Sequence, residues 1–305
     1  MRIVRGLESY PPEADPSVVV LGAFDGIHLG HRAILGTAVA QARLSGLQAL
    51  ACTFDPHPLE VLQPERSPVP ITTLEERLEL IAETGIDTTV VVPFTRAVAV
   101  VEPEDFVRRV VVGTLKAQDI VVGFNHRFGR GARGDAALLE RLAGELGFRA
   151  HVVPPMTVDG VPVSSSEIRS ALQRGDLPRA ARLLGRAYSI QGEVVRGAGR
   201  GRTLGFPTAN VRTARPLLLP AGVYACQADV EGAHYQAVIN VGVRPTFGET
   251  ELAVEAHLLD FTGDLYGRRV RLTFLRRLRD ERKFSSVEAL RSQIALDVLA
   301  ARRGS

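Results

Sequence analysis

Lysine is nearly missing from this chain: Lys116 and Lys283 are the only two in 305 residues, and neither stands in a glycine-rich loop. A lysine-dependent phosphate loop is therefore excluded, and the full G-x-G-x-x-G dinucleotide fingerprint is absent too. Any nucleotide handled here is held by other donors. Cysteine is as scarce. Cys52 and Cys226 lie far apart with no C-x-x-C pair, which argues against a disulfide framework or a cysteine metal site and predicts two small core residues. No stretch reaches the roughly 18 uninterrupted apolar residues of a membrane span. The opening "MRIVRGLESYPPEADPS" also lacks the apolar core of a signal peptide, so a cytoplasmic protein without a membrane partner is expected. Net charge is small, at +3. It gives no case for a nucleic-acid partner, although "RRVRLTFLRRLRDERK" (268–283) is locally basic. Its alternating arginines fit a strand with one solvated face.

With 45% hydrophobic and 23% charged residues, a chain of this length exceeds one hydrophobic core and is expected to form two domains. Residues 17–22 read as a buried strand and 30–44 as an amphipathic helix. Apolar strands are expected again at 47–54, 88–94, 119–124 and 149–154, with helices near 73–84, 103–115 and 135–146 between them. Near-continuous apolar strands alternating with helices predict a parallel sheet covered on both faces, an α/β class. After a helical segment at 165–184 the texture changes to short alternating strands, which predicts an antiparallel barrel or sandwich. A last helix, about 286–303, is amphipathic through Val287, Leu290, Ile294, Val298 and Leu299. The boundary is expected near Gly185 to Ala187, giving domains of 1–186 and 187–305.

"GAFDGIHLGH" (22–31) lies where the first strand passes into the first helix. Gly22 permits close backbone approach, Asp25 and Gly26 make a turn, and the helix start offers N–H groups to an anion. His28 and His31, at i and i+3, share one side of that helix start. Imidazole N–H groups can hold phosphate oxygens without lysine. The bland alternative is a capped turn whose histidines satisfy local bonds, and a zinc site lacks a third ligand nearby. In "VSSSEIR" (163–169), Ser164 and Glu167 fit a capping box. Ser165, Ser166 and Arg169 gather hydroxyls and a positive charge at the same helix start. In "RGAGRGRTLGFPTAN" (196–210) the glycines suit a phosphate-binding nest. Thr208 and Asn210 supply two oxygens suited to Mg²⁺, or else Asn210 only bonds its own backbone at a turn. Alternation puts Glu255 and His257 on one strand face, opposite Val254, Ala256 and Leu258.

The decapeptide resembles the signature of the nucleotidyltransferase superfamily with an H-x-G-H loop. "TFDPHP" (53–58), "VVGFNHRFGRGARGD" (121–135) and "VSSSEIRSAL" (163–172) are similar to the adenylyltransferase module of prokaryotic bifunctional riboflavin kinase/FAD synthetases. "GRGRTLGFPTANV" (199–211), "INVGVRPTFG" (239–248) and "VEAHLLDF" (254–261) are similar to the riboflavin kinase module, so the resemblance spans nearly the whole chain in the family's order. It implies a Rossmann-like parallel-sheet domain followed by a β-barrel with a C-terminal helix. It also implies two reactions, riboflavin plus ATP to FMN, then FMN plus ATP to FAD and pyrophosphate, with riboflavin, FMN, FAD and ATP as ligands and Mg²⁺ as cofactor.

The resemblance further implies roles. Gly22, Phe24, Asp25, His28, His31, Ser165, Ser166 and Arg169 would contact ATP for adenylyl transfer, with His28, His31 and Asn125 acting in catalysis. Gly199, Gly201, Gly205, Pro207, Thr208 and Asn210 would hold the kinase ATP, with Thr208 and Asn210 on the metal. Glu255 would take the proton of the riboflavin 5′-hydroxyl. Three positions depart from the family: Ser166 stands for a more frequent threonine, Pro162 for an arginine of some members, and His126 for a usual aromatic residue. A flavin- or nucleotide-sensing protein would keep the glycine-rich loops but need neither Glu255 nor the histidine pair. An RNA-binding protein would use 268–283. The sequence leaves oligomeric state open.

Overall fold

A computed structural model describes residues 1–197, 201, 204–245 and 250–303. It divides into two compact units, one of residues 1–68 and 72–164, the other of 69–71 and 165–305.

In the first unit, strands β1 (Arg2–Arg5), β2 (Ser17–Leu21), β3 (Gln48–Asp55), β4 (Thr88–Pro93), β5 (Ala117–Gly123) and β6 (Arg149–Val153) form one sheet in the order β1-β4-β3-β2-β5-β6. Every pairing is parallel. The expected sheet is present, and β1 is an addition. Its four residues are mostly exposed and carry two arginines, too short and polar a stretch to show periodicity. Within β2 all five residues are buried because successive side chains enter opposite cores. Val19 and Leu21 join Leu50, Val90 and Ile120 on one face. Val18 and Val20 join Ala49, Ala51 and Val121 on the other. Helix α1 (Leu29–Ser45) follows β2 and stops at Gly46 in the left-handed conformation (φ 66°). Helices α2 (Leu74–Ala82) and α3 (Ala136–Leu146) also stand where the pattern placed them. The expected helix at 103–115 is a short α segment continued by a π-helix, Phe106–Thr114.

From β2 the chain runs outward one way through β3 and β4, then returns to add β5 and β6 on the other side. The β2/β5 junction is thus where loops diverge and leave a crevice beyond the carboxyl ends of the strands. The decapeptide and Asn125 both follow those ends.

The second unit opens with α4 (Ser165–Gln173) and α5 (Leu177–Leu184), broken at Gly175 (φ 72°) and restarted by Asp176, whose Oδ1 accepts the Arg179 N–H at 3.0 Å. Leu177, Leu183 and Leu184 are buried, and α5 packs against the barrel strands β7 (Tyr188–Val195) and β12 (Arg269–Arg279). The compact unit thus takes in both helices ahead of the barrel. With β8 (Ala209–Thr213), β9 (Gly222–Val230), β10 (Ala233–Pro245) and β11 (Thr250–Leu258) these strands close a barrel in the order β8-β11-β10-β9-β12-β7, all antiparallel. Closure removes the exposed edges an open sheet would leave.

Most of the basic run is indeed a strand: Val270, Leu272 and Phe274 are buried, Leu275 alternates outward, and a bulge between Phe274 and Arg276, opposite Cys226 and Ala225, shifts the register beyond it. Helix α6 (Val287–Arg302) closes the unit, and Leu290, Ile294 and Val298 of its expected inner face are half-buried, Val298 against the barrel core. Val287 and Leu299 are exposed, whereas Asp297 is buried and takes a bidentate ion pair from Arg279 (Nε–Oδ2 3.0 Å, Nη2–Oδ2 2.8 Å). A buried charged residue thus lies beside the apolar positions of that face, paired rather than solvated. Cys52 and Cys226 are free and buried, and burial pushes the Cys52 thiol up to about 12.

Candidate active sites

The β2–α1 loop is built under backbone strain. Phe24 (φ 54°) and Ile27 (φ 37°) flank Gly26 (φ 84°), and a β-branched side chain in that region persists only where surroundings impose it. They do so here. Asp25 is buried and its Oδ1 accepts both the backbone N–H (3.0 Å) and the hydroxyl (3.1 Å) of Thr72, whose Oγ1 in turn receives the Gly26 N–H (3.0 Å). Phe24 is fully buried with its ring 2.8 Å from where a Cβ on Gly22 would stand, so residue 22 must be glycine for the ring to lie there. The contacts of Gly22, Phe24 and Asp25 thus shape the loop from beneath.

His28 caps α1: its Nδ1 accepts the His31 N–H at 3.2 Å. Accepting there leaves Nδ1 unprotonated, so in the neutral ring the proton sits on Nε2, which becomes a donor. The bland reading of a capping histidine is therefore true of one nitrogen and orients the other. The two imidazoles stack at 3.6 Å between centroids and 15° between planes, and Phe24 meets His31 edge-on at 5.4 Å. The His31 Nδ1 is buried with no hydrogen-bond partner. Burial above all, then the neighbouring His28 and Arg77, holds His31 well below its usual pKa, so the ring is neutral near pH 7. A neutral donor ring and a buried unsatisfied nitrogen are what an arriving polar ligand would complete.

Sequence reasoning missed Arg77. It projects from α2, is almost wholly buried, donates from Nη1 to the Ala23 carbonyl at 2.6 Å, and lies 3.5 Å from Asp55 Oδ1. Its sequence context, "LEERLEL", reads as an ordinary solvated helix face. Three phenylalanines were missed as well. Phe54, near the end of β3, and Phe94, just past β4, meet edge-to-face at 5.6 Å, and Phe124 is half exposed beyond β5. Of the three only Phe124 is exposed.

Asn125 lies exposed in that same β5 loop, its Oδ1 3.7 Å from a notional Cβ on Gly123. His126 turns the other way. It stacks on Phe128 (5.8 Å), its Nε2 is buried without a partner, and burial pushes its pKa down to about 4 from 6.5. Between those values the unfolded chain binds more protons than the folded one, so stability is lost as pH falls from 6.5 towards 4. By pH 5 the loss from this residue is about 2 kcal/mol. His126→Phe should abolish that component: denaturant titrations at pH 7.5 and pH 5 should differ less in the variant than in the parent, and an equal difference would refute the assignment. Ser165, Ser166 and Arg169 open α4 in the second unit, where the Arg169 Nε donates to the Val69 carbonyl at 2.8 Å. Pro162 ends a short two-stranded ribbon.

In the barrel, Glu255 of β11 lies directly opposite Asn210 of β8 on one side and Asn240 of β10 on the other. Residues opposite in register share a face, so three polar side chains form one row across three strands. Val254, Ala256 and Leu258 are buried on the opposite face, as alternation predicted. Thr208 stands two residues before Asn210, in the segment that leads into β8. Two glycines make room for this pair. A Cβ on Gly197 would stand 1.9 Å from the Asn210 Nδ2, and one on Gly201 2.8 Å from the Thr208 Oγ1. The Gly201 carbonyl accepts the N–H groups of Leu204 (3.2 Å) and Phe206 (2.9 Å), while Gly205 takes φ 82°. His257 fixes Pro207 through Nδ1 to its carbonyl (2.7 Å) and meets Phe206 edge-on. Gly199 and residues 246–249 of "INVGVRPTFG" lie outside the described residues.

Beside Thr208 a cleft of about 120 Å³ is lined by Val194, Pro207, Leu258, Phe261 and Tyr266. Among the described residues no cluster of three or more His, Cys, Asp or Glu is placed to hold a metal. Thr208 and Asn210 offer two neutral oxygens, a set that fits Mg²⁺ with waters and phosphate oxygens completing its shell.

Comparison with known proteins agrees with this division. The family profile described as FAD synthetase matches residues 10–167, and that described as riboflavin kinase matches 184–304. A bifunctional riboflavin kinase/FMN adenylyltransferase of Pseudomonas fluorescens is 38% identical across 99% of this chain and 97% of its own length. One from Bacillus subtilis is 39% identical over 93% and 91%. A solved structure named as a macrolide-efflux protein from Streptococcus pneumoniae superposes with a TM-score of 0.91 at 31% identity, covering 100% of both chains. Among the described residues of this chain, no helix is long and apolar enough to cross a membrane. The chain belongs to the bifunctional riboflavin kinase/FMN adenylyltransferase family of enzymes, with an FAD synthetase module ahead of a riboflavin kinase module.

Proposed function

We propose that the two reactions of this family, riboflavin to FMN and FMN to FAD, are carried by the residues described above, phosphorylation on the barrel and adenylyl transfer around the β2–α1 loop. The observation that carries the reading is the row Asn210, Glu255 and Asn240, which brings a carboxylate and two amides together from segments distant in sequence. In the kinase step Glu255 accepts the proton of the riboflavin 5′-hydroxyl as that oxygen attacks the γ-phosphorus of ATP, and ADP leaves. The apolar cleft beside Thr208 suits the purine base. Gly201, Gly205 and Pro207, with Gly199, belong to the loop proposed to surround the phosphates, and Thr208 and Asn210 would hold Mg²⁺. Once bound, that ion would neutralise phosphate charge.

In the adenylyl step an oxygen of the FMN phosphate attacks the α-phosphorus of a second ATP and pyrophosphate leaves. His28 and His31 bind and orient the phosphates through ring N–H donors, and Asn125 contributes a neutral amide near the reacting phosphorus. Ser165, Ser166 and Arg169 are the further phosphate donors that the family resemblance supports. Rings at strand ends, the half-buried Phe54 and the exposed Phe124, suit the flat face of an isoalloxazine. The assigned ligands are flavins and ATP, with no nucleic-acid or membrane partner and a cytoplasmic location.

A fragment of residues 165–305 tests the division. It keeps α4 and α5 on the barrel, and should make FMN from riboflavin, ATP and Mg²⁺ but no FAD, while the full chain makes both. FAD from the fragment, or a folded fragment that makes no FMN, would overturn the assignment of the two steps.

A further inference from the structure

We infer that Arg77 is a positioning residue for adenylyl transfer, fixing the Ala23 peptide of the β2–α1 loop by hydrogen bond beneath the stacked histidines. The inference rests on the reading that His28 and His31 serve that step, and it goes beyond it by assigning a residue from a different helix. The geometry comes first. The Nη1 bond to the Ala23 carbonyl is 2.6 Å, the length of a strong charge-assisted bond. A planar trans peptide fixed at its carbonyl is fixed at its N–H too, so the same bond sets the direction of the Phe24 amide. Phe24 is where the backbone enters its positive φ and where the ring that edges His31 begins. The guanidinium, with the Thr53 hydroxyl that donates to the same carbonyl at the longer distance of 3.2 Å, thus holds the peptide that leads into the first strained residue of the loop.

A burial cost attends this arrangement and points to use rather than accident. Arg77 is about as buried as a core valine, and its Nε has no hydrogen-bond partner. Burial, ahead of the opposing pull of Asp25, Asp55, Glu60 and Glu75, lowers its pKa, yet a guanidinium remains protonated. The charged and titratable groups facing it are Asp25 from the loop, Asp55 from the end of β3, Glu60 from the short helix Pro58–Leu62, Glu75 from α2 itself, and His31 from α1. Towards His31 the guanidinium acts as a third reason, after burial and His28, for the ring to stay unprotonated. A neutral His31 has one donor and one acceptor nitrogen, whereas a protonated one beside the His28 ring would break the stack by desolvation and repulsion.

The test uses the full-length protein with Arg77→Met and Arg77→Lys. Histidine ring signals in NMR, assigned with His31→Gln, report the His31 titration directly. Arg77→Met should raise its midpoint, while Arg77→Lys, which keeps the charge, should leave it close to the parent. FMN adenylylation by Arg77→Met should fall about 10²-fold in kcat, the scale of a displaced reacting group, with riboflavin phosphorylation as an internal control. The lysine variant should recover part of that loss, one donor replacing a fork. An unmoved His31 midpoint in a folded Arg77→Met protein, or equal kcat loss in both variants with no titration difference, would overturn the inference. His31→Ala distinguishes the underlying reading: if FAD forms normally in that variant, the site assignment itself is wrong, whatever Arg77 does.

Discussion

Glu255→Gln should lower the turnover of riboflavin phosphorylation by about 10²- to 10⁴-fold, while FMN supplied directly is adenylylated at the parental rate. A primary hydroxyl is a poor nucleophile at neutral pH, and a carboxylate within reach takes its proton as the γ-phosphorus is attacked. Glutamine keeps the shape of the side chain and its place in the row between Asn210 and Asn240, so the loss measures basicity alone. ATP binding should change little, since the glycine loop and the cleft at Tyr266 are untouched. A defect confined to the Michaelis constant would make Glu255 a substrate-positioning group. Full activity would return it to the solvated face of a strand.

The second large effect is expected at the histidine pair, and the capping bond dictates the substitutions. Alanine at position 28 removes a phosphate donor and also the acceptor of the His31 N–H, so a loss of activity would be ambiguous. Asparagine at 28 retains a cap of the preferred kind. His28→Asn combined with His31→Ala should therefore leave α1 intact by circular dichroism yet cut FAD formation from FMN by about 10³-fold or more, since a single preorganised donor is worth 10²- to 10³-fold. Riboflavin phosphorylation should proceed as before. Near-normal FAD synthesis in that double variant would remove both histidines from the chemistry.

The sheet was legible because its strands are buried on both sides and carry uninterrupted branched residues, as in Val18–Val20 and Ile120–Val122. β1 was not, since an edge strand of four residues with exposed arginines has no pattern to read. The site residues were legible where chemistry is written in residue type and spacing, as in the two histidines or Thr208 and Asn210. Their geometry was not: which imidazole nitrogen caps the helix depends on backbone angles, and the reasons for Gly22, Gly197 and Gly201 lie in side chains that approach from elsewhere. Arg77 and Asp297 were hidden for one reason. A buried charge on a helix looks, in sequence, like any solvated one.

The barrel seam has a consequence in time. Its first strand, Tyr188–Val195, pairs with its last, Arg269–Arg279, so the ring cannot close until everything between them has been arranged. Chain closure over so long a loop costs entropy before any contact repays it, and topologies of this kind are the slower to form. Refolding from denaturant should accordingly restore the capacity to make FMN later than it restores the hairpins within the ring, Gly222–Val230 with Ala233–Pro245 being the shortest connection. Until the seam zips, the unpaired margins of those two outer strands are open to another copy of themselves, which makes protein concentration during refolding the variable that decides yield.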